Sequence, residues 1–202
     1  MNYKFLYGDY KGKTAAQAAL TDYKGYLFVK ESIGKGWFMT SQLEDVVRKL
    51  NNFVPAITCQ YASKTKCNSL ADYLSIIESR GKYEDTYKNK EVEGLIGISV
   101  SPAYTFCENH KDFINAKASL YPIKFDILEI FNKRNKKNCY DIQQGEIEKI
   151  FKTLKACAGF HGKATPQYCD DFIQNLPQKQ IIRPIQLQTQ KIQPAVIQLD
   201  LF

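Results

Sequence analysis

The sequence predicts an α+β fold: one compact domain of mixed strands and helices over residues 1–177, with a C-terminal tether over 178–202. Segments of period 3.6 and period 2 follow one another without a regular strand–helix–strand repeat, which argues against a doubly wound parallel sheet. A chain of 202 residues, 44% hydrophobic and 13% aromatic, supports one core of about 175 residues. At Pro177-Gln178 the composition shifts. Residues 178–202 hold seven of the fourteen Gln and one aromatic, whereas the preceding 177 residues carry the other 25 aromatics. Such a shift marks the edge of a packed domain.

Taken in order, Tyr3–Tyr7 reads as an opening strand ending at Gly8-Asp9. The Ala-rich run Thr14–Leu20 reads as a short helix. Gly25–Glu31 and Trp37–Thr40 flank Ile33–Gly36 and read as a hairpin. Ser41 and Glu44 form a capping box that opens a helix to about Asn51, with Leu43, Val46, Val47 and Leu50 on one face. Val54–Gln60 reads as a strand that Pro55 confines to an edge or a start. A second box, Ser69 to Asp72, opens a helix striped by Leu70, Tyr73, Leu74 and Ile77.

Residues 80–93 read as a polar loop, and Gly94–Ser101 as a buried strand. Tyr121–Leu128 is a further strand, followed by a basic loop, Asn132–Asn138. The clearest helix is Gly145–Cys157, with Ile147, Ile150, Phe151 and Leu154 on one face and Lys149, Lys152 and Lys155 on the adjacent arc. Thr165-Pro166 starts a last helix to about Leu176. One short repeat, Asp9–Gly12 and Asp22–Gly25, reads as two turns.

There is no run of 18 apolar residues, so no membrane span is expected. The N-terminal stretch lacks the apolar segment of a signal peptide. Six irregularly spaced cysteines then fit reduced thiols and a cytoplasmic location better than a disulfide frame. The net charge is +7, and residues 130–163 carry eight Lys or Arg against Asp141, Glu146 and Glu148. Lys133, Arg134, Lys136, Lys137, Lys149, Lys152 and Lys155 are therefore the candidate contacts to a phosphate backbone. Phe131, Tyr140, Phe151 and Phe160 are placed either to stack on bases or to fill the core.

Catalytic signals are sparse. Asp22-x-Lys24 with Asp9, and the pair Asp126 and Glu129, are candidate acids for a nuclease that would need Mg2+ or Mn2+. Cys107-x2-His110 and Cys157-x3-His161 have ligand spacings. The 46 residues between them exceed the usual finger spacing, however, so buried thiols are expected rather than zinc. Phosphate-binding glycine loops, dinucleotide fingerprints and serine elbows are absent from the sequence, which disfavours ATPases, dinucleotide oxidoreductases and serine hydrolases.

The strongest motif is Gln198-Leu199-Asp200-Leu201-Phe202. It resembles the peptide by which bacterial DNA polymerases and repair factors dock on the replicative sliding clamp. The resemblance covers these five residues alone. Leu199, Leu201 and Phe202 would each contribute roughly 1.5–3 kcal/mol on burial, and Gln198 would fix register by hydrogen bonding. Asp200 would stay solvated, and the sum suits a contact of about −8 kcal/mol. The resemblance implies a DNA replication or repair protein, a nuclease or a mobile-element factor, recruited to DNA by the clamp. The competing expectation is a non-enzymatic regulator, toxin or phage inhibitor that occupies the clamp pocket.

Overall fold

A computed structural model describes residues 4–36, 40–60, 67–85, 90–113, 118–138 and 142–179. Three helices come first: α1 (Ala15–Thr21), α2 (Tyr23–Gly34) and α3 (Thr40–Asn51). A sheet follows, built from β1 (Tyr73–Asp85), β2 (Lys90–Phe106) and β3 (Ala118–Pro122), with a 3-10 helix (Glu108–Phe113) between β2 and β3. The described chain closes with α4 (Ile127–Asn138), α5 (Ile142–Cys157) and α6 (Pro166–Asn175). The sheet order is β2-β1-β3, and both partners run antiparallel to the central β1. The fold class is α+β, as expected. No helix among the described residues is long and apolar enough to cross a membrane.

Local chemistry explains the first helices. The Thr14 hydroxyl accepts the Gln17 N–H at 3.2 Å and caps α1. Asp22 ends α1 and caps α2, accepting the Gly25 N–H at 2.7 Å and the Tyr10 hydroxyl at 2.6 Å. Ala15, Ala16, Ala18 and Ala19 are buried, so the two helices meet closely. A Cβ on Gly25 would lie 2.0 Å from the Ala18 carbonyl oxygen, a contact only glycine avoids.

The core gathers side chains from both ends of the chain. Phe125 is fully buried and meets the rings of Tyr26, Phe53 and Phe151 at centroid distances of 5.5, 6.1 and 6.0 Å. The expected faces of α3 and α5 are buried at Leu43, Val46 and Leu50 and at Ile147, Ile150, Phe151 and Leu154. Phe131 and Phe160 are core residues with Phe151, and Tyr140 lies outside the described residues.

Several elements differ from expectation. The hairpin expected at Gly25–Thr40 is occupied up to Gly34 by α2, and residues 37–39 lie outside the described residues. Its aromatic and β-branched residues favour strand locally, but Tyr23, Tyr26 and Leu27 are buried at helical spacing behind the Asp22 cap. The helix expected after Ser69 is instead β1: Leu74 and Ile76 are buried at alternate positions and Leu70 is 47% exposed. Much of the polar loop at 80–93 is strand, with Lys82 opposite Glu93 and Asp85 opposite Lys90. Lys82 also lies 3.6 Å from Glu91 across the two strands, while Glu84 and Glu91 stand opposite with like charge. Residues 86–89 lie outside the described set.

Of the strand expected at Tyr3–Tyr7, Tyr3 lies outside the described residues and 4–7 form no strand. Lys4 makes a single bridge to Thr14, and the chain turns through Gly8 and Gly12 at φ +78° and +79°. Val54–Gln60 likewise contributes only the bridge Thr58 to Leu70. The strand expected at Tyr121–Leu128 stops at Pro122, because Phe125 and Ile127 turn into the core at the start of α4. The basic loop at Asn132–Asn138 is the second half of α4. The packed body continues slightly beyond Pro177: Gln178 bridges Phe53, and the Lys179 N–H donates to the Asn52 carbonyl at 2.7 Å. Residues 180–202, the pentapeptide among them, lie outside the described residues.

The contrast between two helical glycines is testable. Gly25→Ala is expected to cost about 3 kcal/mol or more, because backbone must move to admit the methyl group. Gly145→Ala, where a Cβ meets nothing within 4 Å, should stabilise by about 0.5–1 kcal/mol. Urea unfolding of both variants measures the difference, and equal effects would contradict the packing described.

Candidate functional site

The backbone brings three separate segments together at one end of the sheet. Residues 57–60 run alongside 69–71: the Cys59 N–H donates to the Ser69 carbonyl at 2.9 Å and the Ala71 N–H to the Ile57 carbonyl at 3.0 Å. The Gln60 N–H donates to the Thr105 carbonyl at 2.8 Å, which fixes this segment against the end of β2. Where β2 ends, Cys107 enters a turn in which the His110 N–H donates to the Cys107 carbonyl at 3.0 Å.

These constraints converge four ligating side chains. The donor atoms of Cys59, Cys67, Cys107 and His110 all lie within 4.8 Å of one another. Cys59 Sγ and Cys107 Sγ are 3.5 and 3.3 Å from His110 Nδ1, and Cys67 Sγ is 3.7 Å from Cys107 Sγ. Cys59 and Cys107 are buried, while Cys67 and His110 are half-buried, so the group opens toward the surface on one side. Burial pushes the Cys107 thiol up, and hydrogen bonds from Ser69 hold the Cys67 thiol below its ordinary range.

Among the described residues this is the one group of three or more His, Cys, Asp or Glu side chains positioned around a common point. It keeps Cys107 and His110 from the expected set but not the other pair. Cys157 is fully buried in the hydrophobic core on α5, where desolvation pushes its thiol up to about 12. His161 is exposed beyond the end of that helix. The other two members of the group, Cys59 and Cys67, stand apart as C-x7-C, outside the usual zinc-ligand spacing, so the sequence carries no signal that singles them out.

The candidate nuclease acids have other tasks. Asp9 is exposed in the N-terminal turn, Asp22 caps α2, and Lys24 is exposed on the first turn of α2. Asp126 and Glu129 do come together, at the start of α4, but around an ammonium group. Lys30 Nζ lies 2.7 Å from Asp126 and 2.5 Å from Glu129, and Lys133 holds Glu129 at 2.6 Å. Asp126 also accepts the Tyr26 hydroxyl at 2.7 Å, and its N–H donates to Asn51 Oδ1 at 2.9 Å. Burial works against ionisation of Asp126, but Lys30 and Tyr26 outweigh it and keep the carboxyl below the usual range. Lys133 and then Lys30 do the same for Glu129.

The basic candidates divide into two groups. Arg134 makes a bidentate pair with Glu78 at 2.7 and 2.8 Å and lies over the Phe131 ring. Lys155 is half-buried, donates to the Leu20 carbonyl at 3.0 Å and covers the Phe151 and Phe160 rings; burial lowers its affinity for a proton. Both are structural cations. Lys133, Lys149 and Lys152 are exposed, with Lys133 held by Glu129 and Lys149 by Glu146. Lys136 and Lys137 lie on α4, their side chains outside the described set.

In comparisons with known proteins, the chain matches no family model, no curated protein and no solved structure.

The Lys30 cluster predicts a pH signature. Both carboxyls have folded pKa values below their unfolded ones, so their stabilisation is present above about pH 4. It is lost as the pH falls through the depressed folded values. Lys30→Met should therefore cost about 1 kcal/mol at pH 7, a modest figure because each side chain is about one-third exposed. The gap between variant and parent should shrink below about pH 4. Denaturant titrations at neutral and acid pH measure it, and a gap independent of pH would refute the assignment.

Proposed function

We propose that this chain is a DNA-metabolism protein addressed to the bacterial replicative sliding clamp through residues 198–202. The carrying observation is the five-residue match Gln198-Leu199-Asp200-Leu201-Phe202. Its apolar side chains supply pocket contacts, and its Gln supplies register. Two further features support the reading. The composition of 178–202 is that of a tether, with a root-mean-square reach of roughly 25–30 Å as a flexible coil. Exposed Lys133, Lys149 and Lys152 lie on α4 and α5, where the chain's positive charge is concentrated. Docking by the tail would make a weak phosphate contact by these lysines intramolecular, which raises its occupancy without any base-specific contact.

A second reading, a non-enzymatic regulator that occupies the clamp pocket and excludes polymerases, is favoured by one observation. Three of the four candidate acids, Asp22, Asp126 and Glu129, are engaged instead in helix capping and ion pairs. The two readings separate on clamp affinity without DNA, which a blocker needs and a recruited DNA-processing factor does not.

Clamp pull-down with the intact protein and with Leu201→Ala/Phe202→Ala tests the address. Binding by the parent and a loss of at least tenfold in the variant, with unchanged thermal unfolding, are expected. A parent that does not bind the clamp refutes both readings.

A further inference from the structure

We propose that Cys59, Cys67, Cys107 and His110 bind one zinc ion as a closed, structural Cys3His site. The argument is geometric first. Tetrahedral zinc with Zn–S of about 2.3 Å and Zn–N of about 2.0–2.1 Å sets sulfur–sulfur separations near 3.8 Å and sulfur–nitrogen separations near 3.6 Å. The chain holds Cys67 Sγ and Cys107 Sγ at 3.7 Å, and His110 Nδ1 at 3.5 and 3.3 Å from the sulfurs of Cys59 and Cys107. The fourth donor completes a group whose largest separation is within 4.8 Å. A disulfide is a different geometry, with bonded sulfurs about 2.05 Å apart.

The chemistry selects the metal. Three thiolates and an imidazole are soft and borderline donors, which disfavours Mg2+ or Ca2+ and suits zinc. Binding replaces three thiol protons with one Zn2+, so three protons leave to solvent and the site carries one net negative charge. All four tetrahedral positions are filled by protein, and no position is left for the water that a hydrolytic zinc needs. The ion therefore holds structure. It ties residues 57–60, the segment from Cys67, and the turn after β2 into one unit, and the half-buried Cys67 and His110 give it a route in from the surface.

Backbone hydrogen bonds already preorganise two of the segments. The Gln60 N–H bond to Thr105 aligns Cys59 with the end of β2, and the His110 N–H bond to Cys107 closes the ligand turn at C-x2-H spacing. A pairwise S–H···N hydrogen bond accounts for two of the four donors. It gives no reason for two thiols from separate segments to meet one imidazole nitrogen with a third thiol 3.7 Å from one of them. The inference is independent of the clamp reading.

The test uses full-length protein carrying no metal-affinity tag, purified under reducing conditions without chelator, and metal analysis by mass spectrometry. About one zinc per chain is expected, falling below a tenth of that in Cys107→Ser/His110→Ala. Cys157→Ser and His161→Ala should keep their zinc, which separates this set from the other Cys/His pair. Because removing a structural ion can unfold the region, the second readout is Co2+ added to metal-stripped parent protein. Intense visible absorption of tetrahedral thiolate-bound cobalt, displaced by one equivalent of zinc, is the supporting result. Folded parent protein that contains no zinc and gives no such absorption overturns the proposal. So does a Cys67–Cys107 disulfide in the purified chain, zinc retained by the double variant, or iron or copper in its place.

Discussion

The fold depends on Phe125 and Asp126, two adjacent residues where the chain passes from sheet to helix. Phe125 places one ring against Tyr26 of α2, Phe53 after α3 and Phe151 of α5. Asp126 then closes a polar ring directly beside that aromatic contact. Its carboxylate accepts the Tyr26 hydroxyl, its N–H donates to Asn51, and the Asn51 amide donates back to the Tyr26 hydroxyl at 3.0 Å. Tyr26 is the largest of the fully buried side chains, so its hydroxyl requires such partners. Burial, followed by the neighbouring Asp126 charge, drives its ionisation far above the ordinary phenol range. Tyr26 donates to Asp126, and the ring of hydrogen bonds ties α2, the end of α3 and the start of α4 together.

That lock changes what the acidic residues mean. In sequence, Asp126 and Glu129 resemble a metal-holding pair and Asp22 resembles the acid of an acidic-x-Lys triplet. In space, each is satisfied by a cation, a hydroxyl or a helix N-terminus. A carboxylate engaged in this way is poorly disposed to release its partner for a hydrated Mg2+ ion, which needs open octahedral geometry. The same economy applies to the cations. Arg134 and Lys155 reach inward over aromatic rings, so the positive surface available to phosphate is narrower than the count of Lys and Arg implies.

The legible part of the sequence was what local chemistry determines. The Thr14 cap, the apolar stripes of α3 and α5, and Pro166 at the start of α6 each act within a few residues, and each helix stands where its signals place it. The errors share another cause. Tyr23–Gly34 and Tyr73–Asp85 carry residues that suit either secondary structure, and partners distant in sequence decide between them. For β1 those partners are the far end of β2, where Phe106 pairs with Tyr73, and β3, where Pro122 pairs with Tyr73. The group of Cys59, Cys67, Cys107 and His110 was half legible for the same reason. Cys107 and His110 sit in one turn, whereas Cys59 arrives through the Gln60 bond to Thr105, and no spacing rule encodes that contact.

The root of the tail and the ligand group share a residue, which bears on how the two proposals fit together. Lys179, the last described residue, lies 3.3 Å from Asp72, and Asp72 also accepts the Glu108 N–H at 3.3 Å within the turn that carries Cys107 and His110. The Asp72 N–H in turn donates to the Phe106 carbonyl at 2.8 Å, and its own carbonyl accepts from Ile123 at 2.9 Å. Lys179 therefore sits at the end of the sheet, beside the turn that carries Cys107 and His110. Were the proposed clamp contact to load the chain, the force would reach Lys179 and Asp72 before the rest of the body. A cross-link among residues 57–60, 67 and 107–110 is well placed to resist it, because a closed metal site resists opening more than exposed single hydrogen bonds do. On the two proposals together, a metal bound by this group would anchor the body at Lys179, and the Phe125–Asp126 lock holds the helices behind it.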